Sequence, residues 1–151
     1  MRNVLPALTH YMTAALNIVA EEFERGLSDT DLHGAQLLYL FCVCQNPKLS
    51  QDKLAQQLGV NPSNVTRQLT QLERLGYVSR CRNAGDGRQW LVEPTDRAFE
   101  LLPRLVDIMT DVQATLTRGM SYEEQELLFE LTERMGKNAL RREAELERDQ
   151  K

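Results

Sequence analysis

Apolar positions fall three and four residues apart through most of this chain and alternate only once, between about residues 77 and 93. Near the N-terminus Leu5, Leu8, Met12, Ala15, Leu16, Val19 and Phe23 share one stripe. That spacing predicts an amphipathic helix closed by Gly26, a natural C-cap. After the loop "LSDTD", a helix from about Leu32 to Gln45 is apolar nearly all round, so it belongs in the core. Pro47 ends it by pushing Asn46 out of helical geometry.

Two short helices follow. Ser50 N-caps the first, Asp52 complements the dipole in its first turn, and Leu54, Ala55 and Leu58 form its inner face. Gly59 permits the left-handed turn that stops it. Asn61 caps the second helix, and Pro62 takes its first position, where the missing N–H is no loss. Val65, Leu69, Leu72 and Leu75 supply its buried stripe and Gly76 ends it. The alternating segments "YVSRC" and "QWLVE" then read as two short strands around the glycine-rich "RNAGDGR".

Pro94 and Thr95 start a long helix carrying Ala98, Leu101, Leu105, Ile108, Val112 and Leu116, and Gly119 breaks it. Ser121 with Glu124 forms a capping box for a last helix whose apolar positions include Leu127, Leu128, Leu131 and Met135. The tail "RREAELERDQK" is charged all round and is expected to fray. Two short helices joined by a tight glycine turn are a helix-turn-helix, in which Ala55 allows close approach, Gly59 turns the chain and Val65 packs the second helix on the first. With a hairpin behind it, the unit reads as a winged helix. The expected fold class is mainly α with a small β-hairpin wing (α+β), a winged helix-turn-helix with N- and C-terminal helical dimerisation arms.

Charge sharpens this picture. The net charge is −4, yet residues 61–92 carry five bases against two acids, between acidic flanks at 1–47 and 120–151. A basic middle between acidic ends marks a local anion-binding surface. Placing the stripe of the second short helix inward leaves Ser63, Asn64, Thr66, Arg67, Gln68, Thr70 and Gln71 facing out. These side chains hydrogen-bond base edges and phosphates in a major groove, and between Asn61 and Arg74 the one acid is Glu73. Arg67 has the geometry for a bidentate contact to guanine, and Asn64 and Gln68 the geometry for adenine. The helix N-terminus, with Ser63 early in it, offers N–H groups to a phosphate. At the hairpin tip, "GDGR", Asp86 is placed to hold the Arg88 guanidinium by a charge-assisted hydrogen bond, and an arginine extended from a β-loop suits a narrow, negative minor groove.

The run from Thr66 to Arg80, T-R-x-L-x-x-L-E-x-x-G-Y-V-x-R, and the wing motif Asp86-x-Arg88 resemble the core of the MarR family of bacterial winged helix-turn-helix transcriptional regulators. The specific match spans about residues 49–98, and the order of elements covers nearly the whole chain. The resemblance implies a homodimer joined through its first and last helices, Arg67 and its neighbours in the major groove, and the wing arginine in the minor groove. It also implies a small aromatic effector bound between the arms and the reader head, where Met12, His33, Gln36 and Tyr39 are the candidate lining. The sequence departs from the family pattern at "EPTDRA", where L-T-x-x-G is more frequent, which brings Pro94 and Arg97 to the junction of wing and long helix.

Other signals exclude more than they add. The most apolar run, "LLYLFCVC", is too short to span a bilayer, and no secretory pattern opens the chain. Three cysteines in no framework spacing fit a reducing, cytoplasmic setting. Cys42 and Cys44 sit about 200° apart on a helix and read as inert core thiols. Neither a metal-site spacing nor a nucleophile–base pair is recognisable, so no enzyme activity and no cofactor is expected.

The expected organisation is residues 1–46 as N-terminal dimerisation and core helices, 47–94 as the DNA-binding module and 95–151 as C-terminal dimerisation helices. The apolar stripes of the first and last helices exceed what a compact reader head covers, and a dimer would set two recognition helices roughly 34 Å apart on a pseudo-palindrome. The expected function is a dimeric, sequence-specific repressor of transcription that binds double-stranded DNA and is released by a small molecule or other signal. The alternative is a winged-helix protein–protein interaction module without specific DNA binding.

Overall fold

The computed structural model describes residues 4–85 and 89–149. The chain divides into two compact units, Met1–Leu116 and Thr117–Lys151. The first contains helices α1 (Leu5–Gly26), α2 (Gly34–Gln45), α3 (Gln51–Leu58), α4 (Pro62–Arg74) and α5 (Asp96–Leu116), with strands β1 (Leu49–Ser50), β2 (Val78–Arg82) and β3 (Trp90–Pro94). The second contains α6 (Tyr122–Asp149).

Local chemistry accounts for most of the boundaries. Ser50 Oγ accepts the Lys53 N–H at 3.3 Å and Gly59 turns the chain with φ 62°, so α3 begins and ends where its capping residues stand. Asn61 Oδ1 accepts the Ser63 N–H at 3.0 Å, and Pro62 opens α4. In the second unit the Ser121 N–H donates to Glu124 at 2.7 Å and the Glu124 N–H returns to Ser121 Oγ at 3.3 Å, a complete capping box.

Several boundaries differ from expectation. Helix α2 starts at Gly34, because the Glu24 carboxylate of α1 accepts the Gly34 N–H at 2.7 Å and Gln36 Oε1 accepts the His33 N–H at 2.9 Å. Gly26 is the last residue of α1 and has no left-handed backbone; among the described residues the positive-φ glycines are Gly59, Gly76 and Gly119. Its role is close approach, since a Cβ there would lie 2.5 Å from Ile108 Cδ1 on α5. Pro94 ends β3 opposite Val78, and α5 starts after it. The charged tail is helical through Asp149 as the end of α6, which carries an i,i+4 ion pair at Glu133–Lys137 (2.8 Å) before the tail and an i,i+3 pair at Arg142–Glu145 (3.2 Å) within it.

The sheet is antiparallel in the order β1-β3-β2, with Leu49 opposite Val92, Arg80 opposite Val92 on the other side, and Arg82 opposite Trp90. The core lies beneath it. Leu37, Leu40 and Val43 of α2, Leu54 of α3, Val65, Leu69 and Leu72 of α4, Val92 of β3 and Leu105 of α5 are fully buried, each removing roughly 1.5–3 kcal/mol of apolar surface from water. Ala55 of α3 and Val65 of α4 are both buried within this core, as expected where the two helices of such a unit pack together.

Candidate nucleic-acid interface

Helix α4 turns Val65, Leu69 and Leu72 into the core and thereby fixes what it shows to solvent. Ser63, Thr66, Arg67 and Thr70 are exposed; Asn64, Gln68 and Gln71 are half-buried along the edges of that face. The side chains are held in place. Arg67 donates to Asn64 Oδ1 at 3.0 Å, one turn earlier, which aims its guanidinium along the helix. Thr66 donates to the Pro62 carbonyl at 3.1 Å and to Gln51 Oε1 of α3 at 3.4 Å. Burial pushes the Tyr39 phenol up from its ordinary value, while the charge of Arg67 pulls in the other direction.

Three expected contributors have other engagements. Gln71 accepts a 2.9 Å bond from Nε2 of the buried Gln36, so it faces α2 as much as solvent. Thr70 donates to the Thr66 carbonyl at 2.8 Å and accepts from Arg80 Nη2 at 2.8 Å. The first amides of α4 are used by the cap, with Ser63 N–H on Asn61 Oδ1 and Asn64 N–H on the Asn61 carbonyl at 2.9 Å, which leaves the helix dipole rather than open N–H groups to meet a phosphate. Asp86 and Arg88 lie outside the described residues.

The sheet and α4 are locked together by a contact that sequence reasoning missed. Arg80 of β2 bonds Glu73 Oε2 at 3.0 Å through Nε, beside its bond to Thr70. This arginine is a strut between wing and recognition helix, and it occupies the one acid of that segment. Two residues further along β2, Arg82 lies over the Trp90 ring of β3 with its guanidinium 4.2 Å from the ring centroid. Strand alternation, which puts residues 80 and 82 on one face, is the signal that predicts both.

The junction of wing and α5 is built on Arg97, the residue at the family-divergent "EPTDRA" segment. Its guanidinium lies 4.3 Å over the Tyr77 ring, donates to the Leu75 carbonyl at the end of α4, and pairs with Asp31 at 3.5 Å. Asp29 in the same α1–α2 loop is bonded by Arg104 of α5, which holds its carboxyl below the usual value.

The four candidate effector-lining residues differ in exposure. Met12 and His33 are exposed, whereas Gln36 and Tyr39 are buried in the α2 core. A cleft of about 400 Å³ lies elsewhere, between the β1 turn and the hairpin, lined by Lys48, Ser50, Lys53, Asn83 and Gln89 among others. Of its polar groups, Asn83 donates to Gln89 at 2.8 Å, and Lys48 pairs with Glu93 of β3 at 3.7 Å. Among the described residues no group of three or more His, Cys, Asp or Glu could hold a metal, and no helix is long and apolar enough to cross a membrane.

The MarR family model matches residues 32–90, from α2 to the start of β3. Among solved structures the chain is similar to the transcriptional regulator SlyA, at 26% identity over 93% of this chain and 96% of that one with a TM-score of 0.74. It is similar to MarR at 25% identity over 96% and 98%, with a TM-score of 0.73. It also shares the fold of a MarR family transcriptional regulator from Listeria monocytogenes complexed with a 26mer DNA, at 21% identity over 98% and 96% and a TM-score of 0.82.

Proposed function

We propose that the chain is a member of the MarR family of transcription regulators, and that it is a homodimeric, sequence-specific repressor that binds a pseudo-palindromic operator in the cytoplasm. The observation that carries this reading is the outer face of α4. Ser63, Thr66 and Arg67 stand there with no carboxylate among them, on a helix fixed from behind by Val65, Leu69 and Leu72. Arg67, aimed by Asn64, reads guanine, and Asn64 and Gln68 supply the neighbouring contacts. Asp86 and Arg88 serve the minor groove. A DNA-bound structure of the same fold supports this placement.

Dimerisation rests on apolar faces that each unit leaves uncovered. In the first unit Leu5, Leu8, Met12 and Leu16 of α1 are exposed, and in the second Leu127, Leu128, Leu131 and Met135 of α6 are exposed. Rows of this kind, at helical spacing, fit burial against a second copy. Repression needs only occupancy of a promoter. Release by a small aromatic molecule is part of the proposal, with Met12, His33, Gln36 and Tyr39 near its site once the dimer forms.

Fluorescence anisotropy of a labelled duplex from upstream of the protein's own coding region, beside a scrambled duplex at two salt concentrations, tests the reading. Preferential binding to the first duplex that weakens steeply with salt is expected. Equal and feeble binding to that duplex and to a pool of random duplexes would instead favour a protein-docking role for the winged helix.

A further inference from the structure

The cleft between the β1 turn and the hairpin has no part in the function proposed above. Its volume of about 400 Å³ lies in the ordinary range of small-molecule sites. Its described lining holds two lysines, three amides and a hydroxyl, and no carboxylate. Both sides are fixed in place. The Lys48 N–H donates to the Val92 carbonyl at 3.0 Å, and on the hairpin side the Asn83 N–H donates to the Gln89 carbonyl at 2.9 Å, beside their side-chain bond. Lys48 itself sits where glycine would be easier. The turn Asn46–Leu49 is closed by the Leu49 N–H on the Asn46 carbonyl at 3.2 Å, with Pro47 second and Lys48 third at φ 66°. A third turn residue with positive φ is ordinarily glycine, and among the described residues Lys48 is the only other residue type with such a backbone. Its ion pair with Glu93 is long at 3.7 Å and leaves its side chain 70% exposed, too weak a contact to account for it. Lys53, in the first turn of α3, makes no ion pair among the described residues.

We propose that this cleft is a binding site for a small organic phosphate monoester, its phosphate held by Lys48, Lys53 and the Gln89 amide and its organic body set against Pro47 and Leu91. The donors select the anion. A planar carboxylate is matched by the fork of an arginine, and no arginine lines the cleft. Two ammonium groups are point charges, and here they come from separate elements, the turn and α3, while Gln89 stands on the hairpin. Because Gln89 Oε1 accepts from Asn83, the Gln89 Nε2 group is the one left to donate. Donors from three sides suit a tetrahedral group whose oxygens diverge. Pro47, Leu49 and Leu91 add apolar surface for the rest of the molecule. The inference does not depend on DNA binding.

The test is a titration of the isotope-labelled full-length protein with phenyl phosphate, without DNA and at constant ionic strength, followed by amide NMR. Saturable shifts at Lys48, Ser50, Lys53, Asn83, Gln89 and Leu91 are expected, and benzyl alcohol, which has the ring without the anion, should leave these amides unmoved. Lys48→Gln and Lys53→Gln are each expected to weaken phenyl phosphate by about tenfold, the loss of one charge-assisted contact, with thermal melts near the parent's. Lys48→Gly is the sharper variant. It suits the turn, so its melt should stand at or above the parent's while phenyl phosphate binding falls as far as in Lys48→Gln. Absence of saturable shifts in the parent, equal shifts with benzyl alcohol, or parental affinity in Lys48→Gly and Lys53→Gln overturns the inference. Duplex binding by Lys53→Gln is expected to keep the parent's salt dependence; a plot of log affinity against log salt shallower by about one unit would give that lysine to DNA phosphates and overturn the inference too. A parent protein that binds no duplex overturns the DNA-binding reading alone, since the amide shifts are measured without DNA.

Discussion

Gln36 of α2 and Gln71 of α4 are joined side chain to side chain, Nε2 to Oε1, at 2.9 Å, and Gln36 is only 1% exposed. Because Gln36 Oε1 already accepts the His33 N–H, Nε2 has to be the donor, which fixes the orientation of both amides. A polar bond in this position sets the rotation of the recognition helix about its own axis, a quantity that apolar packing alone leaves loose. Gln71→Ala, which strands the buried Nε2, is expected to lower stability by about 1–3 kcal/mol in chemical denaturation. Gln36→Leu combined with it should show a coupling of roughly 0.5–3 kcal/mol in a double-mutant cycle. Strict additivity would mean that the bond is incidental.

Arg67 is aimed by Asn64 across 3.0 Å, so the two act together. Arg67→Ala is expected to remove about 1–3 kcal/mol of discrimination at a single operator base pair while binding to scrambled duplex falls far less. Asn64→Ala should produce a weaker form of the same change. Competition binding with operators substituted one base pair at a time measures this. A uniform loss across all sequences would reassign Arg67 to the phosphates.

The three thiols stand in different surroundings. Burial pushes the Cys44 thiol up to about 11 and raises that of Cys42, whereas Cys81 is exposed on β2. Since the thiolate is the reactive form, Cys44 and Cys42 hold little of it at neutral pH, and their reactivity should rise as pH is raised toward those higher values. A colorimetric thiol titration at pH 7–8 is therefore expected to show one fast thiol, removed by Cys81→Ser, and two slow ones. A fast phase that survives Cys81→Ser would place a reactive thiol in α2.

Local chemistry made much of this fold legible. Ser50, Asn61 and the Ser121–Glu124 box announce their helices because a cap is decided within four residues, and Gly59 announces its turn because few other residues adopt that backbone. What stayed hidden depends on partners distant in sequence. Two residues, Leu49 and Ser50, are too few to show alternation, so β1 exists only through its pairing with Val92 and Leu91. The sequence brings Arg97 to the junction of wing and long helix, but its partners there, the Leu75 carbonyl and the Tyr77 ring, lie about twenty residues earlier and show no local signal. On α4 the periodicity sorted inside from outside correctly for Val65, Leu69 and Leu72, but Gln71 lies at the edge of the stripe, where period alone cannot say that a buried amide is waiting.

Gly26 shows how one such hidden relationship is tested. From sequence it is a C-cap, and a C-cap glycine tolerates alanine poorly because of its backbone. Here the backbone is ordinary and the obstacle is steric: a Cβ would stand 2.5 Å from Cδ1 and 2.6 Å from Cγ1 of Ile108, where α1 meets α5. The two accounts predict different rescues. If contact decides, Gly26→Ala should cost about 1–3 kcal/mol by overpacking, and Ile108→Val in the same chain, which deletes the Cδ1 methyl, should restore part of the loss. If backbone strain decided, trimming Ile108 would change nothing in Gly26→Ala beyond its own cost. Urea denaturation of the parent, both single variants and the double variant separates these outcomes. The expected sign is a favourable coupling between Gly26→Ala and Ile108→Val, with the double variant more stable than the sum of the single losses allows.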